Sequence, residues 1–274
     1  MTASTTGTQP TLETGWLPTT PIGDSLLRRF VHNQADVNEI LARAAGGRVE
    51  RHDRVVLSDG GSHVAFFNQA LLTAPLLGSD DPILDRVAGF FAGSDHPVTL
   101  LSVWPTPDLS PRGWSLIGHP AFVARAPSPV SYRRRPGVDV RLAGEANGRG
   151  DYVTAERIAI DGFPLDEAEG APPGTVLPAG IAGRGLEVRL GFLEGEPVAV
   201  GNVFVAHGVA NLCLAATLAN ARRRGVWEAL AWERVATAPH LPAVAFTSDL
   251  SRPGFVRMGF LPILRFTLWC RPAP

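Results

Sequence analysis

The chain has 274 residues, 45% of them hydrophobic, and a formal charge of −1 at pH 7. That length allows one large core or two ordinary ones, and the charge gives no basic field for nucleic acid. All 25 Lys+Arg positions are arginine, which excludes a pyridoxal-phosphate Schiff base, a phosphate-loop lysine and a kinase strand lysine.

Residues 1–22 are polar and rich in Thr and Pro, with no basic stretch leading into an apolar one; they read as a flexible tail, not a signal peptide. HVAFFNQALL (63–72) reads as a strand. DDPILDRVAGFFAG (80–93) reads as a helix: Pro82 falls in its first turn, and Ile83, Leu84, Val87, Phe90 and Phe91 keep helical spacing. VTLLSVW (98–104) and AFVAR (121–125) are short buried strands. APSPVSYRRRPG (126–137) is rich in Pro and Arg and reads as a linker. VDVRLA (138–143) opens a second half, and 186–208 forms a hairpin around its GEP turn. VANLCLAATL (209–218) is a strand. A helix follows, with Val226/Leu230 and Trp227/Ala231/Val235 in register. AVAFTS (243–248) and LPILRFTLWC (261–270) close the chain as strands. Cys213 and Cys270 sit in apolar runs and read as small buried hydrophobes, with no CxxC pair and no metal site. No apolar run is long enough to span a bilayer. A cytoplasmic protein without membrane or nucleic-acid partners is expected.

One repeat organises this order. DLSPRGWSLIG (108–118) and DLSRPGFVRMG (249–259) share Asp, Leu, Ser and both glycines at an offset of 141 residues. The elements around them agree in sequence, which points to duplication.

The second half resembles the GNAT superfamily of N-acyltransferases over roughly 138–270. The family signature Arg/Gln-x-x-Gly-x-Gly/Ala is matched by Arg222-Arg223-Arg224-Gly225-Val226-Trp227, with Trp227 at the usual small position. A helix N-terminus, a glycine and guanidinium groups together suit a pyrophosphate. The resemblance implies an α/β mixed-sheet fold of two tandem GNAT-like domains. The domains are 23–127, degenerate, and 138–274, with a linker at 128–137. It also implies that Arg222, Arg223, Arg224, Gly225, Val226, Trp227 and Glu228 hold acetyl-CoA or another acyl-CoA. Pantetheine would pair near Ala216 and Leu218, and Phe255 would lie by the cofactor. The family's second signature, Asn-x-x-Ala-x-x-Leu-Tyr-x-x-x-Gly-Phe, falls on 248–260, where Gly259-Phe260 fits and Phe255 replaces the tyrosine that often protonates the leaving thiolate, which a phenyl ring cannot do.

The 141-residue offset sets Asp81-Pro82-Ile83-Leu84 opposite Arg222–Gly225. Carboxylates at Asp80 and Asp81 would repel a phosphate, so the first half is expected to be silent. His119, opposite Phe260, reads as structural. No carboxylate interrupts 209–218; Asp249, His207 and Glu187 are weak candidates for a general base. Asp161, Asp166, Glu167 and Glu169 make the 160–174 loop acidic, which would favour a cationic amine. The expected activity is acyl transfer from acyl-CoA to a small-molecule amine acceptor by a monomer or homodimer. The alternatives are a non-catalytic acyl-CoA binder and a GNAT fold turned to other chemistry.

Overall fold

A computed structural model of the chain describes residues 26–163 and 165–273. The expected tail at 1–22 lies outside the described residues. The first half contains α1 (Leu26–Ala44), β1 (Arg48–Arg51), β2 (Val55–Asp59), β3 (Asn68–Leu72), α2 (Pro82–Phe90), β4 (Val98–Ser102), β5 (Ser115–Gly118) and β6 (Ala121–Arg125). The second contains β7 (Val138–Leu142), α3 (Arg149–Gly162), β8 (Leu186–Leu193), β9 (Glu196–Ala206), β10 (Val209–Thr217), α4 (Val226–Ala236), β11 (Ala243–Thr247), α5 (Arg252–Arg257), β12 (Leu261–Arg265) and β13 (Thr267–Arg271).

Two mixed sheets result, in the orders β1-β2-β3-β4-β13-β5 and β12-β6-β11-β10-β9-β8-β7. β3 and β4 are continuous buried runs and pair in parallel at the centre of the first sheet, as strands covered on both faces do. β8 begins with strict alternation, placing Leu186, Val188 and Leu190 on the α3 side.

The sheets exchange strands. β6, from the first half, is inserted between β11 and β12 of the second sheet. β13, from the second half, is inserted between β4 and β5 of the first. The run 261–270, expected as one strand, is therefore two strands in different sheets. Phe266 is the pivot. It is fully buried, its N–H donates to Pro120 O at 3.0 Å, and its ring packs on Phe30, Phe122 and Phe246.

The segment after β6 is packed, not loose. Val130 lies against the core beside α4, Tyr132 stacks on Trp232, and Arg134 donates to Glu233 at 2.6 Å. α1 was not foreseen, because it buries Asn33 and Asn38 among its apolar positions and this blurs the helical period. It packs on both sheets: Val37 and Leu41 join the core under α3, and Phe30 and Val31 the core around Phe266.

The repeat holds as an order of elements but not at one offset. Pro82 and Val226, the first residues of α2 and α4, are 144 positions apart, because β10 is longer than β3 and carries a bulge. Asp81, not Leu84, thus stands opposite Gly225.

Candidate active site between β10 and β11

β10 and β11 pair in parallel at only two positions, Ala210↔Ala243 and Asn211↔Val244. Beyond them the strands part. On its other edge β10 stays in register with β9 except for a bulge between Cys213 and Ala216, where Leu214 adopts a φ of 47°. Cys213, Leu214 and Ala215 are partly exposed in the middle of an otherwise buried strand. The backbone there, on the side toward β11, has no ladder partner, so an open gap runs along β10 to its C-terminal end. The first half has no such gap: β3 and β4 pair through Gln69↔Thr99, Ala70↔Leu100 and Leu71↔Leu101, and β3 ends at Leu72.

The gap leads to the N-terminus of α4. Gly225 is its cap residue, in left-handed conformation at φ 91°, with no side-chain cap. A non-glycine residue is strained there. The first N–H groups of α4, including those of Val226, Trp227 and Glu228, have no partner within the helix, and the dipole adds positive potential. Val226 is buried in the core, so only its backbone is available. Glu228 adds a carboxylate in the first turn.

The three arginines divide their work. Arg222 is structural: its Nε donates to Thr217 O at 3.1 Å and its Nη2 to Gly162 O at 3.0 Å, tying β10 to the end of α3. Arg223 (φ 63°) and Arg224 are exposed, and Arg224 lies 4.0 Å from Glu194. Sequence reasoning missed a fourth, Arg135. A Cβ on Gly225 would stand 2.6 Å from Arg135 Cδ, so this side chain lies across the helix N-terminus. The packing of Tyr132 and Arg134 on α4 delivers it. The only signal was the YRRRPG run, which read as linker.

Trp227 packs toward α5. A Cβ on Gly254 would meet its ring at 2.7 Å, and it stands edge-on to Phe255 at 5.0 Å. Phe255 is buried between Trp227 and Phe260 and offers no polar atom. Ala216 is buried beneath Gly162. Leu218 is already engaged through its backbone: its N–H donates to Val198 O at 2.9 Å and its carbonyl accepts from Ala221 N at 2.9 Å.

The weak base candidates do not converge. His207 is in the turn before β10, at the far end from the arginines, 2.7 Å from Asp36 of α1. Glu187 pairs with Arg189 at 2.8 Å on the α4 face of β8. Asp249 is exposed, and the hydrogen bond from Arg265 at 2.7 Å holds its carboxyl below the usual range, which makes it a weaker base. Both cysteines are free, and burial raises their pKa, Cys213 to about 12. His119 accepts or donates nowhere near the gap; its Nδ1 lies 3.3 Å from Phe266 O.

A buried carboxylate fastens the segment after α3. Glu156 accepts from the N–H groups of Gly174 (2.5 Å), Val176 (2.6 Å) and Leu177 (3.1 Å). This seats Val176, Leu177 and Ile181 in the core over β8–β10. Asp161, Asp166, Glu167 and Glu169 remain exposed around it.

In the first half the corresponding helix end is filled from within. Asp81 is buried, caps Ile83 N at 3.0 Å, accepts from Leu77 N at 2.8 Å, and is paired with Arg54 at 2.6 Å. These bonds, Arg54 first, hold its pKa near 2. The start of α2 is thus already occupied by a carboxylate.

This architecture is the GNAT fold in tandem form. No protein-family model and no curated protein sequence matches the chain. Solved structures do match. A GCN5-related N-acetyltransferase from Kribbella flavida aligns with TM-score 0.64 at 20% identity, covering 92% of this chain and 97% of that one. An acetyltransferase named to the GNAT family from Novosphingobium aromaticivorans gives 0.57 at 16%, covering 90% and 98%. A tandem GNAT protein from the clavulanic acid biosynthesis pathway gives 0.52 at 11%, covering 89% and 95%. No helix of the described residues is long and apolar enough to cross a membrane, and no group of His, Cys, Asp and Glu among them is arranged to hold a metal.

Proposed function

We propose that the second half binds an acyl-coenzyme A and transfers its acyl group, acetyl in the simplest case, to the amine of a small acceptor. The observation that carries this is the open β10–β11 gap ending at an uncapped, glycine-started helix flanked by Arg223, Arg224 and Arg135. Pyrophosphate fits that end by charge and by unpaired N–H groups. Pantetheine fits the unpaired backbone of β10 around the bulge. The thioester supplies the acyl group already activated.

The chain's own contribution is positioning and a polar backbone. Proximity of amine and thioester in the gap supplies much of the rate. Unpaired N–H groups at the bulge can meet the oxyanion as it forms. Attack by a neutral amine forms the C–N bond; collapse breaks the C–S bond and releases the thiolate. Phe255 offers no proton to that sulfur, and no carboxylate or imidazole lies along 209–217, so the amine's proton and the thiolate's proton pass through water. The exposed carboxylates of 161–169 support a cationic acceptor. The first half, closed by Asp81, binds no coenzyme A in this reading.

The second reading, an acyl-CoA binder without turnover, is favoured by Phe255 and by the lack of a carboxylate or imidazole along 209–217. Calorimetric titration of acetyl-CoA, followed by thiol release with a panel of primary amines, separates them. One site per chain with amine-dependent thiol release supports the enzyme. Binding without release supports the binder, and absence of binding removes both.

A further inference from the structure

The N-terminal half reaches the gap through a line of amides. The Thr99 hydroxyl on β4 is within 3.4 Å of the Ala65 and Asn68 carbonyls and donates to one of them. Its oxygen is thereby left to accept from Gln69 Nε2 at 3.2 Å. Gln69 Oε1 accepts from Asn38 Nδ2 at 2.6 Å, and Asn38 Oδ1 from Gln34 Nε2 at 2.9 Å. Gln34 Oε1 accepts from Asn211 Nδ2 at 3.1 Å. Every amide points the same way, and none can turn over alone without setting NH2 against NH2 or oxygen against oxygen.

The line ends at Asn211 Oδ1, which is buried without a partner. Asn211 belongs to the last β10–β11 pair before the strands part. Diagonally across on β9 is Asn202, fully buried, with neither Oδ1 nor Nδ2 partnered. Asn202 is in register with Cys213, whose side chain shares its face. Buried amides without partners are costly and rare. Two of them side by side, one with its oxygen aimed by a line of hydrogen bonds, mark a place made to receive donors.

We infer that Asn211 and Asn202 form the acceptor subsite and take a primary amine that carries an oxygen on the neighbouring carbon, as in amino alcohols and amino-acid amides. Two N–H groups of the amine donate to Asn211 Oδ1 and Asn202 Oδ1, which leaves the nitrogen lone pair for the thioester. Asn202 Nδ2 donates to the neighbouring oxygen. The N-terminal half, silent toward coenzyme A, orients this subsite from β4 through α1. The inference rests on the acyltransferase reading above.

The test follows the Asn202 and Asn211 side-chain NH2 signals by NMR, with and without saturating coenzyme A. The probes are 2-aminoethanol and choline, which share a skeleton while choline has no N–H donor. 2-Aminoethanol is expected to shift both signals, and choline at equal concentration neither. Asn38→Leu, which cuts the line in the first half, should weaken 2-aminoethanol about tenfold, the size of one lost hydrogen bond, and leave coenzyme A affinity unchanged. Gln69→Leu makes the same cut if Asn38→Leu does not fold. Equal shifts from both probes, no shift from either, or full affinity in a folded cut variant overturns the inference. Failure of coenzyme A itself to bind is read in the same titration and removes the cofactor reading instead.

Discussion

Asp81→Asn removes the charge that fills the start of α2 and keeps the side chain's volume. In the native protein the Arg54 bond and the Leu77 and Ile83 N–H groups lower the Asp81 pKa from 3.8 to about 2. A depressed carboxylate pKa stabilises the fold above the unfolded value and loses that effect as pH falls through the folded one. The shift corresponds to about 2 kcal/mol, an upper figure because the Arg54 side chain is 30% exposed. At pH 6 the variant should melt roughly 5 °C lower, and the gap should narrow as pH falls from about 4 toward about 2. Melting curves of both proteins across that range, with acetyl-CoA titrations at pH 7, make the assay. A pH-independent gap would refute the electrostatic account. Loss of acetyl-CoA affinity in a folded variant would refute the silence of the first half.

Gly225→Ala should cost about 1–2 kcal/mol from its positive φ alone and displace Arg135, while Gly225→Asp should abolish acetyl-CoA binding; calorimetry beside melting separates the two effects. Arg135→Gln should weaken acetyl-CoA about tenfold without lowering the melting temperature, and unchanged affinity would remove Arg135 from the site. Glu156→Gln can keep an oxygen for the Val176 and Leu177 N–H groups but sets an NH2 against that of Gly174; it should destabilise by about 1–3 kcal/mol and speed proteolysis within 165–181. Phe255→Tyr should raise the rate of thiol release if a missing proton donor limits turnover, and an unchanged rate means that another step does.

Much of the fold was legible because apolar runs and the paired DLS motifs report local structure. β4, β6, β10, β11, α2 and α4 lie where their patterns placed them, while HVAFFNQALL is strand only from Asn68, Ala65–Phe67 forming a single helical turn. What failed was long-range. Nothing local distinguishes LPILR from TLWC as members of different sheets, since both are equally suited to extension. α1 escaped because a helix that buries amides has no clean apolar stripe. The arginine turn was legible as a motif, but division of its labour was not: which guanidinium ties carbonyls, as Arg222 does, depends on neighbours far along the chain. Arg135 was hidden for the same reason. The bulge at 213–216 leaves no mark in VANLCLAATL, and the partners of Asn202 and Asn211 belong to other elements.

The exchange of β6 and β13 changes what the linker is for. Each half completes the other's sheet from the inside, with ladders on both edges of the donated strand. Peptide continuity between 126 and 137 is therefore not what keeps the halves together. A protease that nicks there leaves two fragments clasped like linked hands, inseparable until both sheets open. Neither fragment made alone has a complete sheet to fold into, so the first half cannot be lost without losing the other.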